Sequence, residues 1–230
     1  MSRSLHVARE HELEPQYGLP ERLPQGERIL WQGNPQWQRL ARSAFHADKL
    51  AIYFAVLTVW RVASMLGDGA TGAEVLRSLA WLLPLFALAL GLVLLLAWLT
   101  ARTTVYTLTN LRVVMRIGIV LTVAFNLPLR RIEGAALHRA GGQVGDIALT
   151  LEADTRIAWL QLWPHVRPWK VARAQPMLRA LADAPRVAQQ LAEAWGAVHG
   201  QRVAAVPASA PHTPAGERPL VGPMTHPLAG

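Results

Sequence analysis

The sequence predicts an α+β membrane protein, a two-helix transmembrane hairpin joined to an antiparallel β-barrel or sandwich that a C-terminal helix closes. Three observations carry this. Residues 79–99 run for 21 positions without a charged side chain, residues 50–66 form a second apolar run, and short β-branched segments separated by turn residues follow as far as residue 162. The chain has 230 residues, 52% of them hydrophobic. That is enough for a substantial core and too apolar for a disordered protein. Its lack of Cys removes disulfides, Cys-based zinc sites, iron–sulfur clusters and thiol nucleophiles together.

The run 79–99 is about 31 Å long at the helical rise, close to one hydrocarbon core. Arg77 and Trp81 mark one end, Trp98 and Arg102 the other, as expected where rings and guanidinium groups sit at the water interface. Pro84 lies near the start of the span, where it costs least. The run 50–66 is at the short limit for a span and includes Arg61 near its end. Arg61 either contacts a partner helix within the membrane or bends its head toward the interface. Residues 67–78 then make a turn between antiparallel spans.

Basic residues set the expected orientation. Arg39, Arg42 and Lys49 precede the first span, and Arg102, Arg112 and Arg116 follow the second, whereas the connecting loop holds Arg77 against Asp68 and Glu74. The positive-inside rule therefore places both termini in the cytoplasm of a multi-pass protein in the bacterial inner membrane, cytoplasmic or intracytoplasmic. Residues 1–49 are polar and hold no apolar core of a cleavable signal. Four segments follow from this pattern: a cytoplasmic N-terminal segment 1–49, the hairpin 50–101, a cytoplasmic domain 102–199 and a Pro-rich disordered tail 200–230.

Within the cytoplasmic domain, strands are expected over 104–109, 111–117, 119–125, 129–137, 146–152 and 156–162. Asn110, Gly118, the break at Asn126 to Pro128, Gly141 with Gly142, and Asp154 with Thr155 supply the turns. Residues 186–199 space Val187, Leu191, Ala194, Trp195 and Val198 along one helical face behind Pro185, so a helix is expected to close one end of the sheet.

Two motifs flank the hairpin. Residues 26–35 read GERILWQGNP and residues 106–113 read YTLTNLRV. Together with the strands-then-helix outline they resemble bacterial membrane-anchored pleckstrin-homology-like (PH-like) proteins. The pattern departs at Leu111, where that family usually has Arg. Further on, FNLP at 125–128, GDIALTL at 145–151 and above all LWPHVRPW at 162–169 resemble the photosynthetic complex assembly proteins of purple bacteria, encoded beside the reaction-centre H subunit. The resemblance covers roughly residues 20–195. It implies a non-enzymatic helper for building the reaction centre and light-harvesting complex, with reaction-centre and light-harvesting polypeptides and membrane lipids as partners and self-association left open.

The residues themselves add candidate contacts. Trp163 and Trp169 offer large rigid faces, and Arg167 and Lys170 offer cations, in a segment that Pro164 and Pro168 hold extended. The alternative is that one or both Trp pack beneath the sheet. His165 joins the candidate partner-binding set with Arg61, and its alternative is a hydrogen-bonded structural role. Residues 102–230 carry 14 Arg and Lys against 7 Asp and Glu. Arg102, Arg112, Arg116, Arg130 and Arg131 are therefore candidates for contact with an anionic membrane surface, the alternative being a solvated basic face.

Other classes are disfavoured. None of G-x-S-x-G, H-E-x-x-H or the P-loop pattern occurs, so no enzyme is expected. The string from Gly67 to Gly72 fits G-x-G-x-x-G but follows an apolar helix rather than a strand. The eight His show no close metal-ligand pairing, and neither span holds a His to ligate a pigment, so no resident cofactor or metal is expected. No nucleic-acid-binding motif is present. The competing functional reading is a membrane-anchored PH-like lipid-binding or envelope adaptor unrelated to photosynthesis.

Overall fold

A computed structural model describes residues 18–19, 21–139, 142–154 and 157–200 and the strand Arg218–Val221. It divides into two compact units, Gln36–Arg102 and the segments Met1–Pro35 and Thr103–Gly230 on either side of it in sequence.

The helical unit contains α1 (Trp37–Ser43), α2 (Ala47–Gly67) and α3 (Gly72–Thr103). Both long helices outrun the apolar stretches that mark them. α2 is 21 residues long with a mean hydropathy of 1.7 over its most apolar stretch, and α3 is 32 residues long with 2.6. Each is long and apolar enough to cross a membrane. The connection is shorter than the twelve residues expected, because helix continues almost to the turn on both sides. Thr71 caps α3: its N–H and hydroxyl donate to Glu74 Oε2 at 2.7 and 3.0 Å, and Glu74 N–H returns to Thr71 Oγ1 at 3.4 Å. Phe54 and Phe86 stack at 4.3 Å between the two helices. Ala41, Ala47 and Ala97 form a small buried cluster in which short side chains let backbones approach.

The second unit holds two four-stranded antiparallel sheets. The first has the order β1 (Ile29–Gly33), β2 (Val105–Thr109), β3 (Arg112–Ile117), β4 (Val123–Pro128). The second orders β5 (Ile132–Arg139), β6 (Gly145–Leu151), β7 (Met177–Leu181) and β8 (Arg218–Val221) as β7-β6-β5-β8. The sheets do not close into a barrel. They share one core instead, in which Tyr106, Met115, Leu127, Ile147, Leu149 and Leu178 meet α5 (Ala184–His199). The α5 face Val187, Ala188, Leu191, Ala192 and Trp195 is buried there. Trp195 Nε1 donates to the Ile132 carbonyl at 2.7 Å, which satisfies the one polar atom of an otherwise apolar ring. Pro185 in the first turn and left-handed Gly200 after the last bound the helix.

Several expectations are corrected. Residues 119–125 do not start a strand at 119; β4 begins at Val123, because residues 118–122 form the turn. Gly118 has φ +124°, and a Cβ there would run into the Leu121 carbonyl. Residues 129–131 are a 3-10 turn, and the strand begins at Ile132. The strand expected over 156–162 is one helical turn, α4 (Trp159–Leu162), since the free edge of β6 is taken by β7, a strand the sequence reading did not assign. β1 was likewise not assigned. The disorder expected over 200–230 lies outside the described residues, except that Arg218–Val221 pairs with β5 as an edge strand.

Candidate functional site

The two motifs that flank the helical unit meet in the first sheet. β1 pairs antiparallel with β2, aligning Gln32 with Thr107 and Gly33 with Tyr106. Gln32 Nε2 donates to Thr107 Oγ1 at 2.8 Å, and Asn34 Nδ2 donates to the Thr104 carbonyl at 2.7 Å. At the other end of the strands Asn110 stitches both segments. Its side chain accepts from Arg28 N–H at 2.8 Å and donates to the Gly26 carbonyl at 3.0 Å. Arg112 forms a bidentate pair with Glu27 beside it. The segments GE at 26–27 and TNLR at 109–112 thus fasten β1 to β2 across the helical insertion. Gly33 must be Gly because a Cβ would lie 2.5 Å from the Trp31 ring.

A buried polar cluster lies at the end of this sheet where the chain enters β2. His165 is fully buried. Its Nε2 lies 3.1 Å from Thr104 Oγ1 and its Nδ1 2.6 Å from the Tyr106 hydroxyl. That hydroxyl accepts the Arg179 backbone N–H at 3.2 Å, which leaves its own proton available for His165 Nδ1. Burial and the nearby Arg179 guanidinium lower the His165 pKa to about 3. Burial raises that of Tyr106 and lowers that of Arg179, the nearby Asp146 carboxylate opposing the Arg179 shift. Asp146 Oδ1 accepts the Ala180 N–H at 2.7 Å where β7 bulges away from β6 and Ala180 takes φ +53°. The cluster clasps the 163–168 segment to the start of β2. Thr104, Asp146 and Arg179 carried no recognisable signal in the sequence, since each sits alone within a strand or at its end.

The predicted contact residues separate. His165, grouped with them on sequence, is sealed in the core and presents no surface. Trp163 is about half exposed, and Trp169 is 94% exposed with φ +65°. Arg167 is half-buried: its Nη1 donates to Gln175 Oε1 at 3.1 Å, and its backbone N–H to the Gln175 carbonyl at 2.9 Å. Lys170 is exposed. In the helical unit Arg61 Nε donates to Ser78 Oγ at 3.3 Å, linking α2 to α3.

Of the five arginines proposed for a membrane surface, the four in the two-sheet unit divide between two ends of the first sheet. Arg112 and Arg116 stand near opposite ends of β3, Arg112 opposite Pro128 and Arg116 opposite Val105. Arg130 and Arg131 follow Pro128 and so belong to the Arg112 end. Arg131 lies 3.7 Å from Asp154, and Arg112 is engaged by Glu27. Arg102, in the helical unit, sits over the Trp98 ring at 5.3 Å. Sequence reasoning also missed the apolar turn beside Arg116, where Val120 is 88% and Leu121 83% exposed. Their apolar character had been read as strand. Among the described residues no three His, Asp or Glu side chains gather where a metal could bind.

No solved structure matches the chain. A relative from Rhodobacter capsulatus, described as an uncharacterized 23.7 kDa protein in the puhA 5' region, is 38% identical over 184 residues, covering 80% of this chain and 86% of the relative. Residues 51–195, which take in both long helices and most of the two-sheet unit, match the bacterial PH domain family. The chain belongs to the bacterial PH domain family.

Proposed function

We propose that this protein is a non-enzymatic membrane assembly factor that docks reaction-centre and light-harvesting polypeptides at the cytoplasmic membrane while the complex is built. The observation that carries this reading is the relative's location: it is described by its place in the 5' region of puhA, a reaction-centre gene. The architecture is compatible with the role. Two apolar helices with exposed outer faces offer surfaces for partner transmembrane helices, and holding subunits side by side lowers the entropy cost of their association.

Pairing of β1 with β2 bears on topology. The strands before α2 and after α3 belong to one sheet, which supports a topology with both ends of the helical unit on one side of the membrane. Positive charge at those ends favours the cytoplasmic side. Deleting the gene should lower the level of assembled reaction centre while leaving pigment synthesis unchanged; an unaltered complex level rejects the proposal.

Membership of the bacterial PH domain family favours a second reading, a membrane-anchored adaptor that binds lipid or envelope proteins. Affinity purification separates the two. Reaction-centre or antenna polypeptides in the eluate support assembly, and envelope proteins without them support the adaptor.

A further inference from the structure

Two apolar excursions of the two-sheet unit share one end of that unit. The first is the β3–β4 turn with Val120 and Leu121 at its tip. The register of β2 with β3 sets Val105 opposite Arg116, so this turn lies at the end of the sheet where β2 begins. The second is the segment from Leu160 to Val171. His165 binds Thr104 and Tyr106 at that same end, and Leu162 and Val166 pack on Ile117, the last residue of β3 before the turn. Val166 bridges to Pro176 and Arg167 pairs with Gln175, so Trp169 and Val171 project from a closed base. Leu160, Trp163, Trp169 and Val171 are all exposed large apolar side chains. Such a concentration on a folded surface marks a contact with something apolar.

The chain also leaves this unit at this end. Gly33 lies opposite Tyr106, and Asn34 binds the Thr104 carbonyl, so Pro35, which leads toward α1, and Thr103, which ends α3, both belong to it. The chemistry of the rim is that of a bilayer interface. It pairs aromatic and aliphatic tips with the cations Arg116, Lys170 and Arg173, and residues 110–132 and 155–182 hold no Asp or Glu. We infer that this rim of the two-sheet unit, with Val120 and Leu121 on one loop and Trp163 and Trp169 on the other, inserts into the interfacial layer of the membrane rather than into a protein partner. The inference rests on the reading that α2 and α3 span that membrane. Insertion presents this end of the unit to the lipid and leaves the Arg112 end of the sheet toward the aqueous phase, free for subunits.

The absence of Cys makes the test direct. Single-site variants Val120→Cys, Leu121→Cys, Trp169→Cys, Leu85→Cys and Glu193→Cys of the full chain are spin-labelled and placed in vesicles of phosphatidylcholine and phosphatidylglycerol. Collision with oxygen, which partitions into lipid, is compared with collision with a water-soluble nickel chelate. Labels at 120, 121 and 169 are expected to gain oxygen contact and lose nickel contact several-fold relative to 193 on α5. The inference is overturned if they match 193 while 85, within α3, reads as lipid. It is also overturned if they are shielded from both reagents, which means that protein covers the rim. A water-exposed label at 85 instead defeats the membrane-spanning reading itself.

Discussion

Arg112 grips Glu27 with two parallel bonds, Nε to Oε1 at 2.9 Å and Nη2 to Oε2 at 3.1 Å, across 85 residues of sequence that include both long helices. The Glu27 side chain is almost wholly buried and the Arg112 side chain a quarter exposed. Removing the cation therefore strands a carboxylate in a dry setting, whereas removing the carboxylate leaves a guanidinium with partial access to water. Arg112→Ala should destabilise the two-sheet unit by about 2–4 kcal/mol and Glu27→Gln by less. The double variant Glu27→Gln with Arg112→Ala should be more stable than Arg112→Ala alone. Urea unfolding midpoints of the detergent-solubilised chain measure all three.

His165 predicts a pH dependence with a definite sign. Its pKa falls from 6.5 in the free side chain to about 3 in the fold. Above pH 6.5 both states hold a neutral ring and the contribution is flat. Below it the unfolded chain takes up a proton that the folded chain refuses. Stability then declines by about 1.4 kcal/mol per pH unit until the pH reaches the folded value. Thermal melts between pH 7.5 and 5 should show this slope in the wild type. His165→Gln should be less stable at pH 7.5 yet lack this part of the slope.

The turn at Gly118 tests backbone strain at the apolar tip. Gly118→Ala forces a methyl group into the Leu121 carbonyl at a φ that L-residues avoid. A loss of about 2 kcal/mol is expected, read as a lower melting temperature.

Orientation is tested with a membrane-impermeant maleimide on intact cells, again exploiting the Cys-free chain. Asp68→Cys, in the connection between α2 and α3, should label from outside, and Glu193→Cys should label only after the cells are opened. The reverse pattern would invert the proposed orientation.

What the sequence revealed depended on how local the determining interaction was. α2 and α3 were legible because hydropathy is a property of neighbouring residues, although their ends were not, since Thr71 and Glu74 extend α3 beyond its apolar run. β2 and β3 were legible because a two-residue turn at Asn110 and Leu111 sets their register. β1 was hidden because its partner lies beyond the helices and nothing nearby announces the pairing. Residues 156–162 alternate like a strand, yet among the described residues 157–162 Leu162 alone is fully buried, and β7 holds the edge such a strand would need. Of the candidate contacts, Trp169 lies at the surface, while His165 is buried and takes the hydrogen-bonded structural role that was its alternative. A histidine between two prolines gives no local sign that Thr104 and Tyr106 will close over it.

The distance between β1 and its partner has a consequence for biosynthesis. Gln32 and Thr107 are 75 residues apart, so a ribosome adding roughly 5–20 residues per second finishes the partner strand several seconds after the first has emerged. Throughout that interval β1 is a nascent strand with no edge to join. Completion of the sheet thereby requires β1 and β2 to end on the same side of any membrane that α2 and α3 cross. Until then Leu30, which packs against the shared core in the finished fold, stays open to chaperones and proteases.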